Sequence, residues 1–246
     1  INGWDIWNKM EWYRREMRAA GAEMWMRSMA WGAVVNDGDV QGVAVSTPFG
    51  TGVVLANVVI DSTGNGDIAI AAGAKYDYLG PSRVAIQGVG LPAYDLGEHY
   101  NNSDFSVSYE SDVKDQWHLK VYGKSDYRTK GAYDVVSLVD TRERRRVLGD
   151  FYMTVPDQLM ERVYSDTIAR AHSDYDCHGV NYNPYVFLQP NPQPTSTQIP
   201  YRCLLPKGLD GILVTGMGIS VHSDALPLIR MQADLQNQGY AAGVAA

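Results

Sequence analysis

Gly211-Ile-Leu-Val-Thr-Gly-Met-Gly-Ile-Ser220 is the stretch from which the fold is read. Gly211 to Thr215 is short, apolar and biased toward β-branched residues, which predicts a buried strand. The run stops at Gly216-Met217-Gly218, where missing side chains let the backbone come close to another group. A polar loop follows, Ser220-Val-His222-Ser-Asp224. After Arg230-Met-Gln232 and Gln236-Asn-Gln238-Gly239, the chain closes on Gly239 to Ala246, almost all small residues in a helix-compatible run. A helix so small in cross-section can lie directly against a flat ligand or a sheet. Strand, glycine turn, polar loop and small-residue helix together suit a nucleotide cofactor, with helix N-terminal N–H groups facing negative oxygens.

Upstream, Val58-Val-Ile-Asp-Ser-Thr63-Gly64-Asn-Gly66-Asp67 also ends a buried strand in a glycine turn, and a helix begins at Asp67-Ile-Ala-Ile-Ala-Ala72. Two readings stand for this turn: backbone N–H groups that meet a phosphate or ribose, or an ordinary strand-to-helix turn with Asp67 as N-cap. Before it, Met24 to Ala33, Val40 to Thr47 and Gly52 to Ile60 read as a three-stranded meander with turns at Asn36-Asp-Gly-Asp39 and Pro48-Phe-Gly50. Trp4 to Ala20 places Trp4, Trp7, Met10 and Met17 at helical spacing and meets a C-cap at Gly21, which predicts an amphipathic helix packed on the sheet.

The middle of the chain is less periodic. Gly73 to Gly131 is rich in glycine and tyrosine, with a weakly helical stretch from Asp112 to Tyr122. Arg142-Glu-Arg-Arg145-Arg146 reads as a helix on which Arg142 and Arg145 or Arg146 share a face. That face offers planar, permanently charged donors to a carboxylate, a phosphate or a reduced cofactor, or else builds ion pairs with Glu143 and Asp150. Pro156 opens a further helix to Ala171, and Pro184 to Pro200, with five prolines, reads as a loop. Asp174-Tyr-Asp176-Cys-His178-Gly179 falls in a turn, where His178 is suited to proton transfer and Asp176 to fixing its tautomer.

At 246 residues, with 45% hydrophobic and 20% charged residues, the composition is that of a globular protein with a sizeable core. Tyrosine and tryptophan, 16 and 6 against 4 phenylalanines, favour polar-tipped rings that suit hydroxylated ligands or interfaces. A net charge of −7 argues against nucleic acid and against an anionic membrane surface. No apolar stretch is long enough to span a bilayer. Two cysteines, Cys177 and Cys203, without a C-x-x-C spacing exclude zinc-ribbon, iron–sulfur and c-type haem sites.

Four stretches, Val58 to Asp67, Asp140-Thr-Arg-Glu-Arg-Arg-Arg-Val-Leu-Gly-Asp150, Ser173 to Gly179 and Ile199 to Ala246, resemble in this order the motifs of the FAD-dependent oxidoreductases whose flavin domain is built like that of glutathione reductase. The resemblance implies an α/β fold: an incomplete Rossmann-like FAD-binding domain with a three-stranded β-meander and an inserted α+β substrate domain. Residues 1–75 and 199–246 would belong to the flavin part and 76–198 to the insert. It implies FAD as cofactor, held by Ala30, Thr63, Gly64, Gly66, Asp67, Gly216, Met217, Gly218, Ser220, Arg230, Gln232, Gln238, Gly239, Ala241 and Ala242. His178, His222 and Arg145 are its catalytic candidates, Tyr201-Arg202 is a candidate for orienting substrate, and no metal is implied. The family's G-x-G-x-x-G fingerprint does not occur here, so the chain is expected to be the C-terminal part of a longer or split protein whose partner segment or separate chain carries that motif. The expected activity is hydride transfer between FAD and an organic, hydroxylated or sugar-like small molecule, in a monomer or an oligomer. A non-catalytic subunit of a larger flavoprotein is the alternative.

Overall fold

A computed structural model describes residues 6–81, 83, 86–87, 91–92, 104–105, 109, 111–126, 133–134, 140–141, 144–175, 182–187 and 195–246. The elements in chain order are α1 (Ile6–Ala19), β1 (Met29–Asn36), β2 (Asp39–Thr47), β3 (Gly50–Leu55), β4 (Val59–Asp61), α2 (Asp67–Ala71) and β5 (Tyr76–Tyr78). Short strands β6 (Ile86–Gln87), β7 (Leu91–Pro92) and β8 (Asp104–Phe105), helix α3 (Val113–Asp126), and strands β9 (Tyr133–Asp134) and β10 (Asp140–Thr141) follow. The last part holds β11 (Arg145–Val147), α4 (Val155–Leu159), β12 (Thr167–Ser173), α5 (Pro184–Phe187), β13 (Thr195–Pro200), β14 (Ile212–Val214) and α6 (Gln232–Ala245). The architecture is mixed α/β with small sheets.

The meander forms, but its third strand ends at Leu55 rather than Ile60, since Val59 to Asp61 is a separate strand, β4, that leaves the meander for another sheet. β1, β2 and β3 pair antiparallel in order, and β1 turns into β2 through Asp37 and Gly38, both at positive φ (49° and 87°). Such a primed turn matches the twist of the flanking strands. β1 starts at Met29 rather than Met24, because Arg27 takes a left-handed conformation (φ 60°) ahead of it. Helix α1 ends in paired bonds, Gly21 N to Arg18 O and Ala22 N to Met17 O, the double closure of a glycine C-cap. It does not lie on the sheet: Trp7 and Met10 are 77% and 54% exposed, and its cross-chain bonds run to α6, from Lys9 Nζ to Gln232 Oε1 and from Gln236 Nε2 to the Tyr13 hydroxyl.

β14 pairs parallel with β4, Ile212 opposite Val59 and Val214 opposite Asp61. Alternate side chains of β14 enter two different cores. Ile212 and Val214 pack with Val40, Val59, Ile68 and Val147, whereas Leu213 packs with Met153, Ile199, Leu204, Leu226 and Leu228. Burial on both faces explains why this strand reads as one apolar run rather than an alternation. Leu226, Leu228 and Ile229 are fully buried, each contributing about 2 kcal/mol.

Three further elements differ from the sequence expectation. The described part of the arginine run is extended, not helical: Arg145 to Val147 pairs with Tyr78 to Tyr76, so the period is two and Arg144 and Arg146 turn inward while Arg145 faces out. Burial is tolerated because each guanidinium meets a carbonyl, Arg144 Nη1 to Leu79 O at 2.8 Å and Arg146 Nε to Val221 O at 3.0 Å. The helix opened by Pro156 stops at Leu159, since Glu161 is left-handed (φ 47°), and Thr167 to Ser173 extends as β12. Part of the proline-rich segment is ordered into α5 and β13, and β13 pairs antiparallel with β12.

Candidate functional site

The parallel pair brings the C-terminal ends of β4 and β14 to one place, and in open α/β sheets ligands bind outside such ends. Asp61 organises the first turn. Its buried carboxylate accepts from Thr63 N (3.0 Å) and Thr63 Oγ1 (2.7 Å) through Oδ1, and from Ile68 N (2.9 Å) and Ala69 N (3.0 Å) through Oδ2. Thr63 Oγ1 in turn accepts from Asp67 N at 2.9 Å. The negative charge that a helix N-terminus favours is thus supplied from inside the chain, and the cap position is Gly66 rather than Asp67. The Asp67 side chain is ion-paired with Arg145, whose guanidinium lies 5.9 Å from the Tyr76 ring.

The second turn is locked onto the first. Ser62 Oγ and Thr215 Oγ1 are 2.7 Å apart, Thr215 N donates to Asp61 O, and Gly218 is so close to Gly66 that a Cβ on it would lie 2.8 Å from Gly66 N. The Met217 methyl is 3.9 Å from the position a Cβ on Gly64 would take. From α6, buried Gln238 accepts from Gly216 N (3.0 Å) and donates to Ile229 O (3.1 Å). Asp234, Gln238 and Ala242 form the buried stripe of this helix, with Ala241 half-buried, while Gly239 and Gly243 look onto open space. Burial pushes the Asp234 carboxyl up from its ordinary range, against a bond from Met231 N–H. Gln238→Leu leaves one donor and one acceptor unpaired and is expected to lower stability by about 2 kcal/mol in urea unfolding.

Ser220 is buried and accepts from Gly149 N at 2.8 Å, Arg230 is half-buried after the turn Leu226–Ile229, and Ala30 is exposed on β1. Arg202 grips Asp166 through both nitrogens and holds that carboxyl below its usual range, so it is spent in an ion pair. Cys203 is a buried free thiol that burial pushes up to about 12, which keeps it protonated and inert. His178, Gly179, Asp176, Cys177, Arg142 and Glu143 lie outside the described residues.

Beyond the second turn, a polar corner surrounds His222. Arg146 Nε bonds Val221 O, and Asp77, opposite Arg146 across β5 and β11, accepts from the Tyr152 hydroxyl. The Tyr152 ring meets His222 edge-on, 6.4 Å between centroids. Burial, then Asp77, raises the Tyr152 pKa, so the phenol stays protonated as a donor. His222 Nδ1 accepts from Asp224 N at 3.1 Å, which assigns the ring proton to Nε2. Burial depresses the His222 pKa, with Arg146 and Arg83 adding to the effect against Asp224 and Asp77. The imidazole is therefore a neutral N–H donor, and its basic nitrogen is already engaged.

A pH prediction follows from this depression. Between the lowered pKa of folded His222 and its ordinary 6.5, the unfolded chain binds more protons, so stability rises with pH through that window and is fully present above it. His222→Asn, which keeps an acceptor for Asp224 N, is expected to flatten the pH dependence of stability below 6.5. Urea unfolding across that range measures it, and an unchanged slope refutes the assignment.

Two parallel strands ending in interlocked glycine turns define an α/β protein whose strand ends are of the kind at which nucleotide cofactors bind. The chain belongs to the FAD dependent oxidoreductase family, whose model matches residues 7–122 and 116–246, and its cofactor is FAD. Searches of curated proteins and of solved structures returned no match. The geometry fits the cofactor: Gly216 lies at φ +79° with open space where a Cβ would stand, as on the Gly239 and Gly243 side of α6. Sequence reasoning passed over Asp61, although Ile60-Asp61-Ser62 ends the strand it quoted, and it missed Arg83 and Tyr152, which tertiary contacts bring to the corner of His222 and Asp224.

Proposed function

We propose that this chain is the catalytic part of an FAD-dependent oxidoreductase acting on an organic, hydroxylated or sugar-like small molecule. What carries the reading is the pair of interlocked glycine turns at the ends of β4 and β14, in a chain of an FAD-dependent family. FAD supplies a reversible hydride acceptor. The backbone of Thr63 to Gly66 and of Gly216 to Gly218 lines the cofactor, with Met217, Gly239 and Ala241 along its edge. Asp61 and Gln238 hold those two turns in place, and Ser220 and Ala242 hold the walls behind them. Arg230, Gln232, Ala30 and Asp67 line the cofactor's periphery. His222 offers Nε2–H to negative charge that develops on the cofactor or on a substrate oxygen. His178 is the proton-transfer candidate, and Arg145 orients charge beside the first turn.

A flavin part of residues 1–75 and 199–246 would flank a substrate part of residues 76–198, and a segment or separate chain bearing G-x-G-x-x-G would complete the cofactor site. The apolar residues left exposed on α1 and on β3, Trp7, Met10, Val53 and Leu55 among them, provide a surface for that partner. The test is a visible absorption spectrum of the purified native protein with mass spectrometry of every polypeptide in it. A flavin spectrum together with a G-x-G-x-x-G segment is expected. A preparation without flavin overturns the reading in favour of a non-catalytic subunit.

A further inference from the structure

We infer that Arg83, stacked on Tyr182 and bonded to Ser223 beside His222, is the subsite for a carboxylate group carried by the substrate. The inference rests on the reading of the His222 corner as the substrate side of the site, and it names the substrate class: hydroxylated monocarboxylates, such as hydroxy acids and sugar acids, rather than neutral polyols.

The guanidinium is held but not used up. Its Cζ lies 3.9 Å from the centroid of the Tyr182 ring, and Nη2 donates to Ser223 Oγ at 3.2 Å. Nε is buried and has no hydrogen-bond partner among the described residues. A buried donor left unpaired costs about 1–3 kcal/mol, a cost that an acceptor arriving with the ligand removes. Asp224 does not fill this role. Its Oδ2 accepts from Tyr182 N (3.0 Å) and Asn183 N (2.6 Å), and its Oδ1 stays 3.8 Å from Arg83 Nη2. Asp224 thus fixes the backbone that carries the Tyr182 ring, and the ring fixes the plane of the guanidinium. The Arg83 side chain is 28% exposed, so a ligand meets part of it from outside, and pairing with the buried Nε requires the ligand to reach in beyond that exposed part.

Charge and shape select the ligand. A planar fork with free donors matches the two oxygens of a carboxylate. The corner holds Arg83 and Arg146 against Asp224 and Asp77, with Tyr152 and His222 neutral. Balanced in this way, it accepts one negative charge more readily than the two of a phosphate. His222, next in sequence to Ser223, adds an Nε2–H for a hydroxyl or carbonyl oxygen near the carboxylate.

The experiment is isothermal titration calorimetry of the full FAD-loaded protein with glycolate, L-lactate and D-gluconate, with ethylene glycol and D-glucose as neutral counterparts and inorganic phosphate as a dianion control. At least one acid is expected to bind while its neutral counterpart and phosphate do not, and Arg83→Met is expected to weaken that acid by about tenfold or more. Arg83→Lys keeps the charge without the fork and is expected to recover only part of the loss, and thermal unfolding of both variants checks that they fold. The inference is overturned if no acid binds, if neutral counterparts or phosphate bind equally well, or if Arg83→Met leaves acid binding unchanged. Anaerobic flavin reduction separates it from the reading it rests on. Acids that bind without reducing the flavin sink the redox reading alone, and neutral sugars that reduce it while no acid binds sink the carboxylate subsite alone.

Discussion

Asp61→Ala is expected to lower stability by about 4 kcal/mol, most of what holds a domain of ordinary stability together. The carboxylate is 2% exposed and accepts four hydrogen bonds, three of them from the backbone at Thr63, Ile68 and Ala69. Truncation removes a charged acceptor, for which each bond contributes about 1.5–3 kcal/mol, and strands N–H donors where α2 is buried. Not all of that sum is lost, because water can enter at the exposed Asp67 side of the turn. Asp61→Asn separates charge from shape. It keeps one oxygen but presents an NH2 group to one pair of donors, so it should cost about 2 kcal/mol. Urea unfolding followed by tryptophan fluorescence measures both. A loss below about 1 kcal/mol for alanine would mean that the turn stands without the carboxylate.

What the sequence made legible were features with a local cause. The apolar run at Ile212 to Val214, the glycines at 64, 66 and 216 and the hairpin turn at Asp37-Gly38 all carry their conformation in their own residues. The arginine run was misread because charge suggests an exposed helix, and the compensating carbonyls of Leu79 and Val221 come from distant parts of the chain. Thr167 to Ser173 was misread for a related reason. Its tail after Pro156 has helix-compatible residues, but pairing with Thr195 to Pro200 outweighs that weak preference. The candidate site divides along the same line. Gln238 was singled out as a ligand contact, and its span from Gly216 to Ile229 inside the chain had no local signal. Arg83 was not singled out at all, because a lone arginine among polar residues carries no signal until Tyr182 and Ser223 are brought to it.

Gly218→Ala is expected to cost about 3 kcal/mol of stability and to reduce retention of FAD by at least about tenfold. The cause is distance, not conformation: a Cβ at Gly218 would stand 2.8 Å from Gly66 N, 3.3 Å from Val214 Cγ1 and 3.4 Å from Asn65 C. Two of those atoms are backbone of the opposing turn, which cannot rotate away as a flexible side chain would. Relief requires the turns to part, and parting them strains the Ser62–Thr215 contact and the Thr215 N to Asp61 O bond at once. Gly216→Ala is the matched control for stability alone, because its methyl would enter the space that the cofactor takes. At φ +79° with nothing within 4 Å of the added methyl, it pays for a left-handed backbone alone, about 1–2 kcal/mol. Urea unfolding of both variants, with flavin absorbance per protein after gel filtration, distinguishes the two causes. If Gly218→Ala is no less stable than Gly216→Ala, the two turns are not coupled, and if Gly218→Ala retains FAD as the unaltered protein does, the cofactor site does not depend on their contact.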